Sequence, residues 1–148
     1  MRELIIMQGI SGSGKSFVAD ALKYYYMHLG KSCEICSTDD YWYLEDPTTY
    51  NFDSTKIATA HNWNKSMAET AMIYNREVII ISNTNTTQKE AQPYIDLANK
   101  YNYTVRTVSV NCSIETAKKA NSERPTDRQV PESVIDAQSQ RITPIKIT

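Results

Sequence analysis

The sequence predicts a doubly wound α/β domain, in which helices cover both faces of a parallel sheet. Two observations carry this prediction. Four short apolar segments with strand character alternate along the chain with stretches of helical periodicity, and a glycine-rich turn directly follows the first of them. Such alternation is typical of parallel strands joined by helical crossovers. The length of 148 residues and the hydrophobic content of 41% fit one core, so we expect a single domain over residues 1–148.

The predicted strands are short and rich in apolar or β-branched residues, and they cover residues 3–8, 33–38, 77–82 and 104–110. Helical periodicity covers residues 15–29, about 54–75 and 113–122, and a last helix is expected with Pro131 at its first position. Residues 87–90 have the form of a capping box, which predicts a further helix there. Pro93 leaves the start of that helix open, because proline is tolerated only in the first turn.

Composition limits the classes of function. With 16 basic and 17 acidic residues the net charge is −1, so any nucleic-acid binding must depend on a local patch. No apolar run approaches the roughly 20 residues that span a bilayer, and the apolar N-terminal stretch is too short for a signal peptide, so we expect a cytoplasmic protein without membrane partners. Cys33 and Cys36 have C-x-x-C spacing, but a strand would point them to opposite faces, which favours buried, inert thiols over a metal or redox site.

The segment after the first strand matches the pattern G-x-x-x-x-G-K-[ST] over residues 9–16. Its glycines permit a tight loop whose backbone N–H groups turn towards phosphate oxygens, and the following helix adds the positive end of its dipole. In this pattern Lys15 reaches the β- and γ-phosphates, and the Ser16 hydroxyl is placed to ligate Mg²⁺. The motif predicts a nucleotide-binding P-loop with ATP contacts from Gly9, Ser11, Gly12, Ser13, Gly14, Lys15, Ser16 and Phe17.

Two common classes of P-loop protein are disfavoured by motifs that the chain lacks. The guanine-recognition pattern Asn-Lys-x-Asp is absent. The strand at 77–82 is followed by Asn83, where a motor-type ATPase carries an acidic residue for Mg²⁺ and water. Both absences favour a small kinase, in which a hydroxyl substrate supplies the nucleophile.

A kinase of this type needs a base near the attacking hydroxyl. Asp39 and Asp40 follow the second strand, at the edge of the sheet where doubly wound folds bind their ligands. Either carboxylate can accept the substrate proton there, or can merely cap a turn. The polar segment around Arg124 and Arg128 indicates a helical lid at about 115–130 whose arginine neutralises the transferring phosphoryl group, with a solvated charged loop as the alternative.

Four elements in this order and spacing resemble the kinase domain of phage-type polynucleotide 5′-hydroxyl kinases over roughly residues 3–141. They are Gly-Ile-Ser-Gly-Ser-Gly-Lys-Ser, Ser-Thr-Asp-Asp-Tyr, the Asn83-Thr-Asn turn, and Asn-Ser-Glu-Arg124 before Val-Pro and a helix. The chain also resembles P-loop kinase domains of larger animal proteins, which share the Ala-His-Asn-Trp element at 60–63. The resemblance implies an adenylate-kinase-like fold, ATP and Mg²⁺ as cofactors, Asp39 as the general base, and Arg124 and Arg128 on the ATP phosphates. It also implies host cytoplasm if the protein is of phage origin.

Three departures from that family put the acceptor in doubt. Trp42 stands where phage kinases carry an arginine for the acceptor phosphate, Asn83 stands in place of their aspartate, and the Asp-x-Asp-x-Thr phosphatase motif is absent. Trp42 can compensate by stacking on a base, and His61 can line the acceptor cleft, unless these side chains belong to the core. Asn83 is a further candidate for substrate binding. The 5′-OH of a polynucleotide is the expected acceptor. A small molecule, a hydroxylated base in DNA, or a binding module without transfer remain as alternatives.

Overall fold

The computed structural model describes residues 1–147 and confirms the predicted alternation of strands and helices. The strands are β1 (Glu3–Gln8), β2 (Cys33–Cys36), β3 (Val78–Ile81) and β4 (Thr104–Ser109). The helices are α1 (Lys15–His28), α2 (Ile57–Ile73), α3 (Gln88–Lys100), α4 (Ile114–Ser122) and α5 (Glu132–Arg141). Three short 3₁₀ helices lie at Thr38–Tyr43, Ser54–Lys56 and Thr126–Arg128.

All four strands are parallel and lie in the order β2-β3-β1-β4. β1 is central, and its Ile5 is in register with Ile80 of β3 and with Arg106 of β4. The helices that follow β1 and β3 pack on opposite faces of the sheet. The carboxyl ends of β1 and β3 therefore form the topological switch point, where sheets of this type open a crevice for ligands.

Successive residues of β1 face opposite layers, as the period of a strand requires. Leu4 and Ile6 pack with α2 and α3, whereas Ile5 and Met7 pack with α1. All four are completely buried. A third, smaller cluster of Ile10, Ala117 and Ile135 joins α4 and α5 to the loop after β1. The core thus holds both ends of that loop.

The local sequence pattern did not predict all of the helix and strand ends correctly. The capping box at Thr87 and Glu90 is present, and Pro93 lies inside α3 rather than at its start. Pro131 is the residue before α5 rather than its first residue. β2 ends two residues early, because residues from Thr38 onwards turn into a 3₁₀ helix that the sequence pattern did not indicate.

The cysteines behave as the strand geometry requires. Cys33 packs on the α1 face of the sheet, and Cys36 packs on the opposite face. Both are free thiols, and burial raises the pKa of Cys33 to about 11 and that of Cys36 to about 12. Within residues 1–147 no cluster of His, Cys, Asp or Glu has the arrangement of a metal site. None of the helices in this range is long and apolar enough to cross a membrane.

Candidate active site

The segment between β1 and α1 forms a tight loop at the switch point. Gly12 and Gly14 have φ angles of 85° and 96°, in the left-handed region that glycine adopts without strain. A Cβ atom at Gly12 would clash with the carbonyl oxygen of Ala117, so α4 packs directly against this glycine. The Gly9 N–H donates to the Thr84 carbonyl at 3.1 Å, which fixes the start of the loop to the segment after β3. The loop is therefore built by contacts on two sides.

Lys15 is the partly buried cation of this loop. Its Nζ donates to the Ile10 carbonyl at 3.2 Å, so the ammonium folds back over the loop. The pKa of Lys15 is lowered to about 8, first by burial and then by the positive charge of Arg124, while the Asp39 carboxylate acts in the opposite direction. The charges of these three side chains, which come from α1, the 3₁₀ helix after β2 and the segment after α4, therefore act on one another.

The loop has the features that a bound phosphate requires. The Ser13 hydroxyl oxygen is buried and has no hydrogen-bond partner among residues 1–147, which is costly unless a ligand supplies one. The positive charges of Lys15 and Arg124 oppose each other, and an anion between them would favour both. Ser16 lies in the first turn of α1 with an exposed side chain, which suits a hydroxyl that ligates a cation beside the phosphates.

The opposite wall of the site is the 3₁₀ helix Thr38–Tyr43. Its start is fixed by Thr38, whose backbone N–H donates to the Asn83 side-chain oxygen at 2.9 Å. The Thr38 hydroxyl lies 3.4 Å from Nδ1 of His61, an exposed residue of α2. Asn83 and His61 thus both contact Thr38 and help to place Asp39, the residue that follows it.

The two aspartates face different surroundings. Asp39 acts electrostatically on Lys15 and accepts a hydrogen bond from the Tyr50 hydroxyl at 3.4 Å. Burial raises the pKa of Asp40, and the carboxylates of Asp39 and of Asp20 on α1 raise it further. Of the two aspartates, it is Asp39 that both interacts electrostatically with Lys15 and accepts a hydrogen bond from Tyr50.

Sequence reasoning missed Tyr50, which lies in residues 43–53, one of the segments with the least sequence pattern. Burial raises its pKa, and the Asp39 carboxylate adds to that rise, so the hydroxyl stays protonated and donates. The Tyr50 ring contacts Tyr43 with a centroid distance of 5.4 Å, and the Arg128 guanidinium lies 5.8 Å from the Tyr43 centroid. No local pattern marks residue 50, since the contact with Asp39 depends on how the segment folds back.

The aromatic side chains beside Asp39 form a packed cluster. Trp42 is only 5% exposed and makes edge contacts with Tyr41 and Phe52, with centroid distances of 5.1 and 5.0 Å. Tyr50 lies parallel to Phe52 at 6.5 Å, and Phe52 is 54% exposed. A cavity of about 300 Å³ is lined by Tyr41, Trp42, Leu44, Glu45, Asn51, Phe52, Asp53 and Lys56. The exposed ring of the cluster therefore belongs to Phe52, whereas Trp42 is mainly a packing residue.

Residues 115–130 comprise most of α4 and the 3₁₀ helix Thr126–Arg128. Asn121, 4% exposed, holds the end of this segment by bonding the carbonyl and the N–H of Val130 at 2.7 and 2.9 Å. Arg124 lies towards Lys15, and Arg128 lies towards Tyr43. The structure thus brings most of the predicted site residues to the phosphate loop and to the segment after β2, whereas Phe17 is 80% exposed on α1.

The fold and the phosphate loop define a P-loop kinase-like domain. The chain belongs to the AAA domain family, whose model AAA_33 matches residues 4–145. It is 39% identical to human NEDD4-binding protein 2 over 102 residues, which make up 69% of this chain and 5% of that protein.

Two solved structures show the same fold at low sequence identity. A proposed kinase from Chloroflexus aurantiacus has a TM-score of 0.76 and 15% identity, over 99% of this chain and 81% of that chain. A chain of the Pnkp1/Rnl/Hen1 RNA repair complex has a TM-score of 0.70 and 18% identity, over 99% of this chain and 49% of that chain. At these identities the likeness establishes the architecture alone.

Proposed function

We propose that this domain is an ATP-dependent kinase that transfers the γ-phosphate to a hydroxyl, namely the 5′-OH of a polynucleotide. The observation that carries the proposal is that the charges of Arg124 and Asp39 both act on Lys15, the lysine of the phosphate loop. Two cations that face an anion and one carboxylate beside them are what phosphoryl transfer to a hydroxyl requires. A module that only binds nucleotide needs the cations but has no use for the carboxylate.

The nucleotide side of the site follows from the loop. The N–H groups of Gly9, Ser11 and Ser13 are bonded within the protein. The other backbone N–H groups of the loop up to Ser16, with the Ser13 hydroxyl and Lys15, would hold the ATP phosphates. When bound at the Ser16 hydroxyl, Mg²⁺ neutralises charge on the β- and γ-phosphates. Arg124 would neutralise the charge of the phosphoryl group during transfer.

The acceptor side is the wall that carries Asp39. The acceptor O–H gives its proton to the Asp39 carboxylate, and the oxygen forms a bond to the γ-phosphorus. The bond from that phosphorus to the β–γ bridging oxygen breaks, and ADP leaves with that electron pair. Tyr50 donates to one oxygen of Asp39, which leaves the other oxygen for the acceptor.

A nucleic-acid end is supported by the cluster beside Asp39. Phe52 offers an exposed ring that lies parallel to Tyr50, and a base stacked on such a ring gains about 1–3 kcal/mol. Lys56 lies at the rim of the same cavity and provides a cation for an acceptor phosphate. The likeness to a chain of an RNA repair complex agrees with an acceptor of this kind.

A second candidate is a kinase of a small molecule or of a hydroxylated base in DNA. It is favoured by the cavity itself, because Glu45 and Asp53 line it together with the single cation Lys56. Such a rim suits a neutral acceptor better than a chain of phosphates. The absence of an arginine at position 42 points the same way.

The test is a transfer assay with γ-labelled ATP and Mg²⁺ on a panel of acceptors. The panel contains 5′-OH DNA and RNA, the same oligonucleotides carrying a 5′-phosphate, nucleosides and sugars. We expect label on the 5′-OH oligonucleotides and none on their 5′-phosphorylated forms. Efficient labelling of nucleosides or sugars alone would favour the second candidate, and no labelling at all would leave a binding module.

Lys15→Ala is the control for the site of transfer. It removes the cation that the loop directs at the phosphates, so we expect transfer to be abolished. Lys89→Ala, an exposed lysine of α3, serves as the matched substitution and should leave transfer unchanged. If Lys15→Ala keeps activity within about tenfold of the parent, the phosphate loop is not the place of transfer.

A further inference from the structure

A buried carboxamide on the last helix holds the phosphate loop from outside. Gln138 of α5 accepts a hydrogen bond from the Ser11 backbone N–H at 2.8 Å and donates one to the Ser11 hydroxyl at 3.0 Å. Gln138 is 6% exposed and Ser11 is 8% exposed, so water cannot readily replace either partner. One side chain thus satisfies both the backbone N–H and the hydroxyl of a residue in the middle of the loop.

The position of Ser11 makes this contact important for the shape of the loop. Before it, the Gly9 N–H is bound to the Thr84 carbonyl, and after it the Ser13 N–H turns back to the Ile10 carbonyl at 3.1 Å. Ser11 lies between these bonds and directly before Gly12, whose backbone is intrinsically flexible. An anchor at Ser11 keeps the remaining N–H groups convergent on one point, as a phosphate cradle requires.

The helix that presents Gln138 is itself fixed against the loop. Ile135, one turn earlier on α5, is completely buried with Ile10 and Ala117. Asn121 of α4 holds Val130, just before α5 begins, by two hydrogen bonds. The carboxamide of Gln138 is therefore presented from a rigid support, which is what a precise anchor needs.

We propose that Gln138 is a positioning residue for the nucleotide site, which holds Ser11 and thereby the phosphate loop in the shape that accepts the triphosphate. The proposal rests on the proposed function in that the loop binds ATP, and it is independent of the acceptor. Gln138 touches no reacting group and acts through Ser11. Its loss is therefore expected to weaken nucleotide binding and to leave the KM for the acceptor unchanged.

The first test compares Gln138→Met with Gln140→Met. The first substitution keeps the side-chain length and removes the amide, and the second changes an exposed glutamine on the same helix. Calorimetry measures the Kd of ATP with Mg²⁺, and thermal unfolding without nucleotide measures stability. We expect Gln138→Met to raise the Kd about tenfold, because two buried hydrogen bonds are lost, and Gln140→Met to change it less than about twofold. An unchanged Kd in folded Gln138→Met overturns the proposal.

A double-mutant cycle with Ser11→Ala separates positioning from a general loss of stability. Ser11→Ala already removes one of the two bonds, so Gln138→Met should cost less ATP affinity in that background than in the parent. Additive effects of the two substitutions on the Kd overturn the proposal. If Gln138→Met does not fold, Gln138→Asn replaces it in the cycle, since its shorter amide cannot reach both groups of Ser11.

The outcome is distinguishable from a failure of the proposed function. If the parent protein binds ATP but labels no acceptor, the kinase assignment fails while the cycle still tests Gln138. If the parent protein does not bind ATP, both proposals are overturned. If acceptor KM rises in Gln138→Met while the ATP Kd stays constant, Gln138 serves the acceptor and the proposal is wrong.

Discussion

At Lys15, burial and the Arg124 guanidinium oppose the ammonium charge, and the Asp39 carboxylate favours it. An anion placed between Lys15 and Arg124 would favour the charged form of Lys15 and so oppose the effects of burial and of Arg124. The residue types needed for this arrangement, a loop lysine, an acid after β2 and an arginine after α4, were all predictable from motif and order. Their convergence was not, because it depends on packing between segments that are distant in sequence.

Supporting residues were the hardest to predict. Asn83 and His61 were expected to bind substrate, and the structure shows them holding Thr38, the neighbour of Asp39. Trp42 was offered as a stacking residue and is buried, whereas the exposed ring belongs to Phe52. A polar or aromatic residue carries no local signal that tells a substrate contact from a support, since both need the same chemistry.

The thiols of Cys33 and Cys36 provide a prediction at the same scale. Because burial raises both pKa values, to about 11 and about 12, both groups remain neutral thiols throughout the range from pH 7 to pH 9. We expect iodoacetamide to modify neither residue in the folded protein at pH 8, and to modify both after unfolding in guanidinium chloride. Peptide mass mapping reads the result, and rapid labelling of Cys36 in the folded protein would contradict it.

Among the elements, the strands and α-helices were predictable from the sequence, whereas the 3₁₀ helix that carries Asp39 was not. β1, β3 and the capped helix α3 have strong local patterns, and their positions were predicted within a few residues. The 3₁₀ helix Thr38–Tyr43 has none, because its acidic and aromatic residues have no fixed period. It forms where Asn83 and the buried Trp42 determine the path of the chain.

The contact between α4 and the phosphate loop is tested by Gly12→Ala. The new Cβ would meet the Ala117 carbonyl, and the positive φ angle adds strain of about 1–2 kcal/mol. Gly30→Ala is the matched control, because Gly30 also has a positive φ but no heavy atom within 4 Å of the added Cβ. Chemical denaturation should show a larger loss of stability for Gly12→Ala, and calorimetry should show weaker ATP binding for this variant alone. Equal losses of stability in both variants would show that α4 can move away from the new Cβ at no cost in free energy.

At the scale of the whole molecule, the fold brings every catalytic candidate to one edge of the sheet. The order β2-β3-β1-β4 places the loop after β1 beside the end of β3, where Asn83 lies, and one strand away from the end of β2, which the acids follow. Alternation of strands and helices was sufficient to predict this class of sheet. The arrangement of α4 and α5 against the phosphate loop was not predictable, because small clusters such as Ile10, Ala117 and Ile135 leave little periodic signal.

The overall charge of −1 leads to a prediction about the acceptor. A polynucleotide held only by a local patch contacts about one to three phosphates, so the logarithm of its affinity should fall with the logarithm of salt concentration at a slope of about −0.7 to −2. Fluorescence anisotropy of a 5′-OH oligonucleotide, titrated between about 50 and 300 mM salt, measures the slope. A slope steeper than about −4 would require a larger basic surface than this chain has.

The most direct measurement of the central claim is a comparison of ATP binding and phosphate transfer in Asp39→Asn, with Asp40→Asn as the matched control. The amide keeps the shape of the carboxylate and cannot take a proton, so we expect transfer to fall by about 10²–10⁴-fold. ATP affinity should change little, because the loop amides, Lys15 and Ser16 remain, and Asp40→Asn should be milder in transfer. If Asp39→Asn loses ATP binding in step with transfer, or if Asp40→Asn is the inactive variant, Asp39 is not the base and the account of the site is wrong.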